Sequence, residues 1–88
     1  MYIGNHKYIN CMELNDFISK FASQFVDEDP SVFTPDTDFH ELDSWSSFTS
    51  LSVVAMIIQE YGVELDSQDV RNADTIEDLF ELVKERQQ

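Results

Sequence analysis

The stretch DSWSSFTSLSVVAMIIQEYG, residues 43–62, is the most informative part of this 88-residue chain. It opens with serines, of which Ser46 or Ser47 can cap a helix. Apolar residues then recur at helical spacing, and they cover more of the helix circumference than the usual single apolar face. The stripe consists of Phe48, Leu51, Val54, Ala55, Ile58 and Tyr61, widened by Val53, Met56 and Ile57. Gly62 follows as a left-handed stop signal. We predict a helix over Phe48–Tyr61 that is largely buried or docks partners.

Three more helices flank this one. The first is predicted over Glu13–Val26, where the apolar residues Leu14, Phe17, Ile18, Phe21, Phe25 and Val26 share one face. A short helix of one or two turns falls within 66–72. The last begins at a capping box, Thr75 to Asp78, places Ile76, Leu79, Phe80 and Val83 on one face, and ends near Arg86. Because the chain has only two Gly and two Pro, we predict an all-α four-helix bundle with a short third helix.

A long acidic loop, residues 27–46, joins the first two helices. It contains both prolines and seven acidic residues, but no Lys or Arg. We expect its apolar residues to fasten it to the core, so that it is ordered and functional: Val32, Phe33, Phe39, Leu42 and Trp45. Residues 1–11 are interpreted as a loose N-terminal extension, and residues 12–88 as the single domain.

Composition narrows the classes of function. The formal net charge is −13, yet 42% of the residues are apolar and seven are Phe, which is too much core material for a disordered acidic tail. With no basic stripe, neither nucleic acid nor an anionic membrane surface is an expected partner, whereas a basic protein surface is. Cys11 is the only cysteine, so an intrachain disulfide or a zinc site is excluded. No apolar run could span a membrane and no signal peptide is visible, so we expect a cytoplasmic protein.

Catalytic and metal-binding patterns are weak. His6 and His40 are the only histidines, and we interpret both as ordinary surface or loop residues rather than catalytic bases. The segment beginning at Asp36 starts like a calcium-binding EF-hand loop. It fails at the sixth position, where Glu41 replaces glycine, and at the twelfth, where Ser47 replaces glutamate. An enzyme and a calcium site are therefore both disfavoured.

A serine hydroxyl at the start of the second helix has one chemical use that its position favours. It is exposed and faces the positive end of the helix dipole, which suits a covalently attached phosphate. On physical grounds alone, a plain helix-capping serine is the preferred interpretation.

Residues 39–83 resemble the acyl and peptidyl carrier proteins, which are small acidic four-helix bundles with a long first loop. That family attaches 4'-phosphopantetheine to a serine at the start of its second helix, usually within Asp-Ser-Leu. Ser44 keeps the preceding acid, as Asp43, whereas Ser47 keeps the large apolar residue that follows, as Phe48.

The register of the second helix separates the two serines. The family pattern has apolar residues 1, 4, 6, 7, 10 and 14 positions after the serine, the last aromatic. From Ser47 all six positions fit: Phe48, Leu51, Val53, Val54, Ile57 and Tyr61. From Ser44 the third position is Ser50 and the last is Ile58, which is not aromatic. Tyr61-Gly-Val-Glu-Leu65 and Thr75-Ile76 with Asp78-Leu79 are also similar to family motifs. The resemblance implies attachment at Ser47, with Ser44 as second choice.

The resemblance implies a non-catalytic carrier of acyl or aminoacyl thioesters in fatty-acid, polyketide or related specialised biosynthesis. Its expected partners are a phosphopantetheinyl transferase and acyl-activating or ketosynthase-type enzymes, and we expect a monomer. The alternative is an unmodified acidic interaction module, or a nucleic-acid mimic that binds a basic protein.

Two departures from the family bear on its partners. The residue before Ser47 is Ser46 rather than Asp, and Asp43 is a candidate substitute. The second helix is almost uncharged, which favours docking by shape and apolar contact. The partner-contact candidates are Asp43, Trp45, Ser46, Phe48 and Met56. Phe48, Leu51 and Val54 are expected to pack beside the arm or to form the core, with the core as the preferred role. Met56 is expected on the surface.

Overall fold

The computed structural model describes the backbone of residues 5–87 and the side chains of residues 13–87. Within those residues the elements are α1 (Asn5–Ala22), α2 (Ser47–Tyr61), α3 (Ser67–Asn72) and α4 (Ile76–Arg86), with short 3-10 helices at Pro30–Val32 and Phe39–Glu41. No strand is found in this range. The predicted all-α bundle, its long first loop and its short third helix are confirmed.

Helix α1 differs from its prediction at both ends. It begins at Asn5, inside the stretch interpreted as an extension, and ends at Ala22 rather than Val26. The amides of Gln24 and Phe25 donate to carbonyls only three residues back, which closes the helix with tight turns. Val26 is consequently 91% exposed, although Phe25 still reaches the core. Residues 1–4 lie outside the described residues, and the domain boundary at residue 12 stays a prediction.

Aromatic side chains fasten the long loop to α1. The ring of Phe21 packs edge-on against Phe39 at 5.3 Å, and Phe25 packs against Phe33 at 5.0 Å. Phe33 and Phe39 are buried, as predicted, and Leu42 and Trp45 pack partly against the same core, whereas Val32 is exposed. The loop is therefore ordered by burial of its own apolar residues.

Backbone hydrogen bonds tie the loop to α4. The first amides of a helix lack partners within it. Here the amide of Ile76 donates to the carbonyl of Thr37 at 3.2 Å, and that of Glu77 donates to the carbonyl of Pro35 at 3.0 Å. Thr75 caps the same helix by accepting from the amide of Asp78 at 3.1 Å. These bonds position the loop that leads into α2.

Helix α2 has two apolar faces, and only one is buried. Its core face consists of Thr49, Val53, Met56 and Ile57. On the opposite side, Phe48, Leu51 and Ile58 are 78%, 66% and 44% exposed. With Ala55, which is also exposed, they form what we call the α2 stripe: Phe48, Leu51, Ala55 and Ile58.

The two faces correct four predictions. Phe48 and Leu51 were expected in the core but lie on the surface, and Val54 is only half-buried. Met56 was expected on the surface but is 7% exposed. Both faces have helical spacing and similar apolarity, so periodicity alone cannot tell which one meets the rest of the bundle. Gly62 ends the helix in the left-handed conformation, at φ 68°, as its position predicted.

None of the helices within the described residues is long and apolar enough to cross a membrane.

Candidate functional site

Ser47 is the first residue of α2, and its side chain is exposed. The cap is provided by Ser46, whose extended backbone lets its hydroxyl accept from the amide of Thr49 at 3.2 Å. Since Ser46 performs this task, the Ser47 hydroxyl is not needed for it. Within the described residues, that hydroxyl makes no hydrogen bond. It is therefore a free alcohol at the positive end of a 15-residue helix.

Ser44 is differently placed. It lies in the turn before α2, and its hydroxyl donates to a carboxylate oxygen of Glu28 at 2.8 Å in a partly buried position. Its carbonyl accepts from the Thr49 hydroxyl at 2.9 Å. Both groups of Ser44 thus hold the end of the loop, which leaves Ser47 as the more accessible hydroxyl. Attachment at either serine stays a prediction.

The remaining partner-contact candidates surround Ser47, with one exception. Asp43 and Ser46 are exposed just before it, and Phe48 is exposed just after it. Trp45 is half-buried: its ring packs edge-on against Phe39 at 4.8 Å and stacks on Phe25 at 6.1 Å. The exception is Met56, which lies on the buried core face of α2 and not on the surface around Ser47.

A groove of about 530 Å³ runs beside Ser47, between the end of the loop, α2 and α3. His40 connects two of its walls, since its Nε2 lies 3.2 Å from the carbonyl oxygen of Val70 and its Nδ1 lies 3.3 Å from a carboxylate oxygen of Asp38. The full lining consists of His40, Trp45, Ser46, Ser47, Ser50, Leu51, Ser67, Val70 and Arg71.

Sequence reasoning missed the α3 side of this groove. Ser67, Val70 and Arg71 belong to no recognisable motif, and the segment was predicted only as one or two helical turns. The signal that places them is tertiary: α3 packs against α2, beside Ser47. His40 had been interpreted as an ordinary loop residue, and its ring instead joins the loop to α3.

Within the described residues, four titratable side chains have a shifted pKa, each because of a local contact or burial. A hydrogen bond to Asp16 raises the pKa of Lys20, and burial raises the pKa of Tyr61. Donation from the amide of Ser31 lowers the pKa of Asp29, which caps the first 3-10 helix. The amide of Asp66 lowers the pKa of Asp69 in the capping box of α3, to which the Arg86 ion pair adds. None of these groups lines the groove beside Ser47.

The arrangement is compatible with a covalent anchor. No side-chain base within the described residues hydrogen-bonds the Ser47 hydroxyl. Across the same residues, no group of three or more His, Cys, Asp or Glu is placed to hold a metal ion. The free hydroxyl, the helix N-terminus and the open groove fit a phosphate-linked arm attached at Ser47.

Comparison with known proteins identifies the family. No curated protein and no solved structure matches the chain significantly. A family model described as "Phosphopantetheine attachment site" matches residues 16–83, which include the end of α1, the loop, and all of α2 and α3. Members of this family covalently carry 4'-phosphopantetheine and interact with phosphopantetheinyl transferases and biosynthetic enzymes. Because the match spans most of the chain, and its fold is the one that the resemblance implied, the chain belongs to the phosphopantetheine-binding carrier family.

Proposed function

We propose that this protein is an acyl carrier whose prosthetic arm is attached to Ser47. A phosphopantetheinyl transferase removes the proton of the Ser47 hydroxyl, and the oxygen bonds to the phosphorus that bears pantetheine in coenzyme A. The pyrophosphate bond breaks, and 3',5'-adenosine diphosphate leaves. When bound, the arm supplies a terminal thiol that holds an acyl or aminoacyl group as a thioester.

One observation supports Ser47 rather than Ser44 as the attachment site. The Ser47 hydroxyl is exposed and unbonded at the first position of α2, whereas Ser46 caps that helix and Ser44 is bonded to Glu28. A transferase has to reach the oxygen that it modifies, so accessibility favours Ser47. The helical register in the sequence independently favours the same residue.

The chain's own surfaces support a role in presentation. The α2 stripe continues directly from Ser47 and offers a partner apolar contacts. The adjacent loop, residues 27–46, carries seven of the chain's acidic residues and no Lys or Arg. Its field attracts a partner with a basic rim, while contact beside the serine is apolar. We propose that the partners are the transferase and acyl-activating or ketosynthase-type enzymes of fatty-acid, polyketide or specialised biosynthesis.

Mass spectrometry tests the attachment site. The purified protein is incubated with coenzyme A and a broad-specificity phosphopantetheinyl transferase, and its intact mass is measured. We expect one added phosphopantetheine on the wild type and on Ser44→Ala, and none on Ser47→Ala. Absence of the added mass on the wild type contradicts the carrier function. Addition that is lost in Ser44→Ala but kept in Ser47→Ala contradicts the choice of residue.

An unmodified interaction module is the second candidate. It is favoured by the α2 stripe, which can dock a partner without any arm, and by Ser46, which brings no charge where the family has Asp. This alternative predicts partner binding by the Ser47→Ala variant as strong as by the wild type, together with no added mass on either.

We further propose that the carrier is a monomeric, non-catalytic, cytoplasmic protein.

A further inference from the structure

Arg71 has an unusual position in so acidic a protein. Of the cationic residues whose side chains the structure describes, Lys20 pairs with Asp16 and Glu60, Lys84 with Glu13, and Arg86 with Asp69. Arg71, in α3, is exposed and has no carboxylate within ion-pair distance in that part of the chain. Its guanidinium is thus an available cation in a protein of net charge −13.

The groove that Arg71 lines is itself free of acid. The chain has 18 acidic residues, but none of the groove-lining residues is Asp or Glu. The polar groups that line it together with Arg71 are His40, Trp45 and the hydroxyls of Ser46, Ser47, Ser50 and Ser67. A groove with one unpaired cation, several hydroxyls and no carboxylate is complementary to an anion.

We propose that Arg71 is the counter-ion of the phosphodiester formed at Ser47 and holds the arm in this groove. The inference rests on the proposed function, since Ser47 must carry the arm. A phosphodiester tethered to one wall is kept at high effective concentration near the opposite wall. The planar guanidinium presents two parallel donors to phosphate oxygens, which a lysine ammonium cannot do. Arg71 is therefore a positioning residue.

The size of the effect follows from exposure. Ion pairs between exposed side chains are weak, so Arg71 changes the ratio of docked to free arm by about two- to fivefold rather than by orders of magnitude. Salt screens such a pair over roughly 10 Å, so docking weakens at high ionic strength. A bias of this size keeps the arm close to the bundle between reactions and still lets a partner withdraw it.

Trp45 provides a built-in reporter. It is the only tryptophan of the chain, and it lines the same groove. The wild type, Arg71→Gln, Arg71→Lys and the control Lys84→Gln are each prepared without and with the arm, and intact mass verifies loading. Lys84→Gln removes one positive charge at the contact of α4 with Glu13, outside the groove. Tryptophan emission and the phosphorus-31 NMR signal of the arm are then recorded at low and high salt.

In the wild type and in Lys84→Gln, we expect loading to change Trp45 emission, and high salt to reverse most of that change. In Arg71→Gln the change becomes smaller, by no more than the loss of about two- to fivefold in the ratio of docked to free arm, and the phosphorus signal shifts and narrows. Arg71→Lys gives an intermediate result, which guards against a folding defect of the glutamine variant.

Equal emission changes and equal phosphorus signals in the wild type and Arg71→Gln overturn the inference while the carrier function stands. An Arg71 effect seen only after loading a cargo with a free carboxylate also overturns it, because the anion bound is then the cargo. If the wild type gains no mass, the proposed function fails and the inference fails with it.

Discussion

The two faces of α2 can be separated by a pair of truncations, Phe48→Ala and Val53→Ala. Both remove apolar atoms from the same helix, but Phe48 is 78% exposed and Val53 is completely buried. The structure therefore predicts opposite effects: Val53→Ala should reduce stability, and Phe48→Ala should reduce the interaction with partners.

The expected magnitudes follow from burial. Burying a whole Phe side chain is worth about 3 kcal/mol at most, so the small buried fraction of Phe48 contributes about 0.5 kcal/mol. The better helix propensity of Ala offsets a similar amount, and the net change in unfolding free energy is about zero. Val53→Ala removes two buried carbons and leaves a cavity in the core, at a cost of about 2 kcal/mol. For a domain of this size, that lowers Tm by roughly 8–16 °C.

The transferase reaction should be affected more by Phe48→Ala than by Val53→Ala. Large apolar side chains at the centre of an interface often cost more than about 1 kcal/mol on truncation, which is a five- to tenfold loss of affinity. We expect a loss of that size for Phe48→Ala in kcat/KM of the transferase reaction, measured by intact mass over time. Val53→Ala, assayed well below its Tm, should react nearly normally.

Urea unfolding followed by circular dichroism gives the stabilities. If Phe48→Ala loses as much unfolding free energy as Val53→Ala, Phe48 is packed in the core and the assignment of faces is refuted. If both variants react with the transferase like the wild type, the α2 stripe does not contribute to docking of this partner.

Two further predictions concern helix starts. Ser46→Ala should lower the unfolding free energy by about 1 kcal/mol because α2 loses its cap. Ser46→Asp keeps the hydrogen-bond acceptor, interacts favourably with the helix dipole and should speed modification of Ser47. Unfolding curves measure the first effect and intact mass over time measures the second, and equal modification rates would show that the family's acid is dispensable here. Asp69 has a lowered pKa, chiefly because it accepts from the amide of Asp66, so its contribution is complete above its unfolded pKa of about 3.9 and is lost as the pH falls through its folded pKa. Asp69→Asn should therefore destabilise the protein by about 1 kcal/mol near pH 7, and this difference should shrink as the pH falls through the folded pKa of Asp69, as measured by urea unfolding. A pH-independent difference would contradict this origin.

The sequence allowed the fold to be predicted where one signal dominated. Gly62 and Thr75 end and begin helices by local chemistry, and both predictions are confirmed. The end of α1 was wrong because Phe25 and Val26 continue its apolar spacing after the backbone has turned away. Local pattern carries no information about that turn.

The candidate site was predictable only in part. The position of Ser47 at the start of α2 follows from the serine run and the apolar register around it. The exposure of Phe48 and the burial of Met56 did not follow, because the sequence is apolar on both sides of the helix and packing selects one of them. Arg71 was missed because its significance depends on which residues lack a carboxylate partner in space.

The α2 stripe has a consequence for how copies of this protein behave at high concentration. A continuous apolar surface on a small protein favours self-association. Here every copy carries a net charge of −13, and the resulting mutual repulsion opposes stripe-to-stripe contact. The excess of carboxylates thus maintains colloidal solubility, so that an apolar surface can stay uncovered between partners. Acidification that neutralises those carboxylates removes the repulsion but leaves the apolar surface unchanged, so we expect precipitation before unfolding.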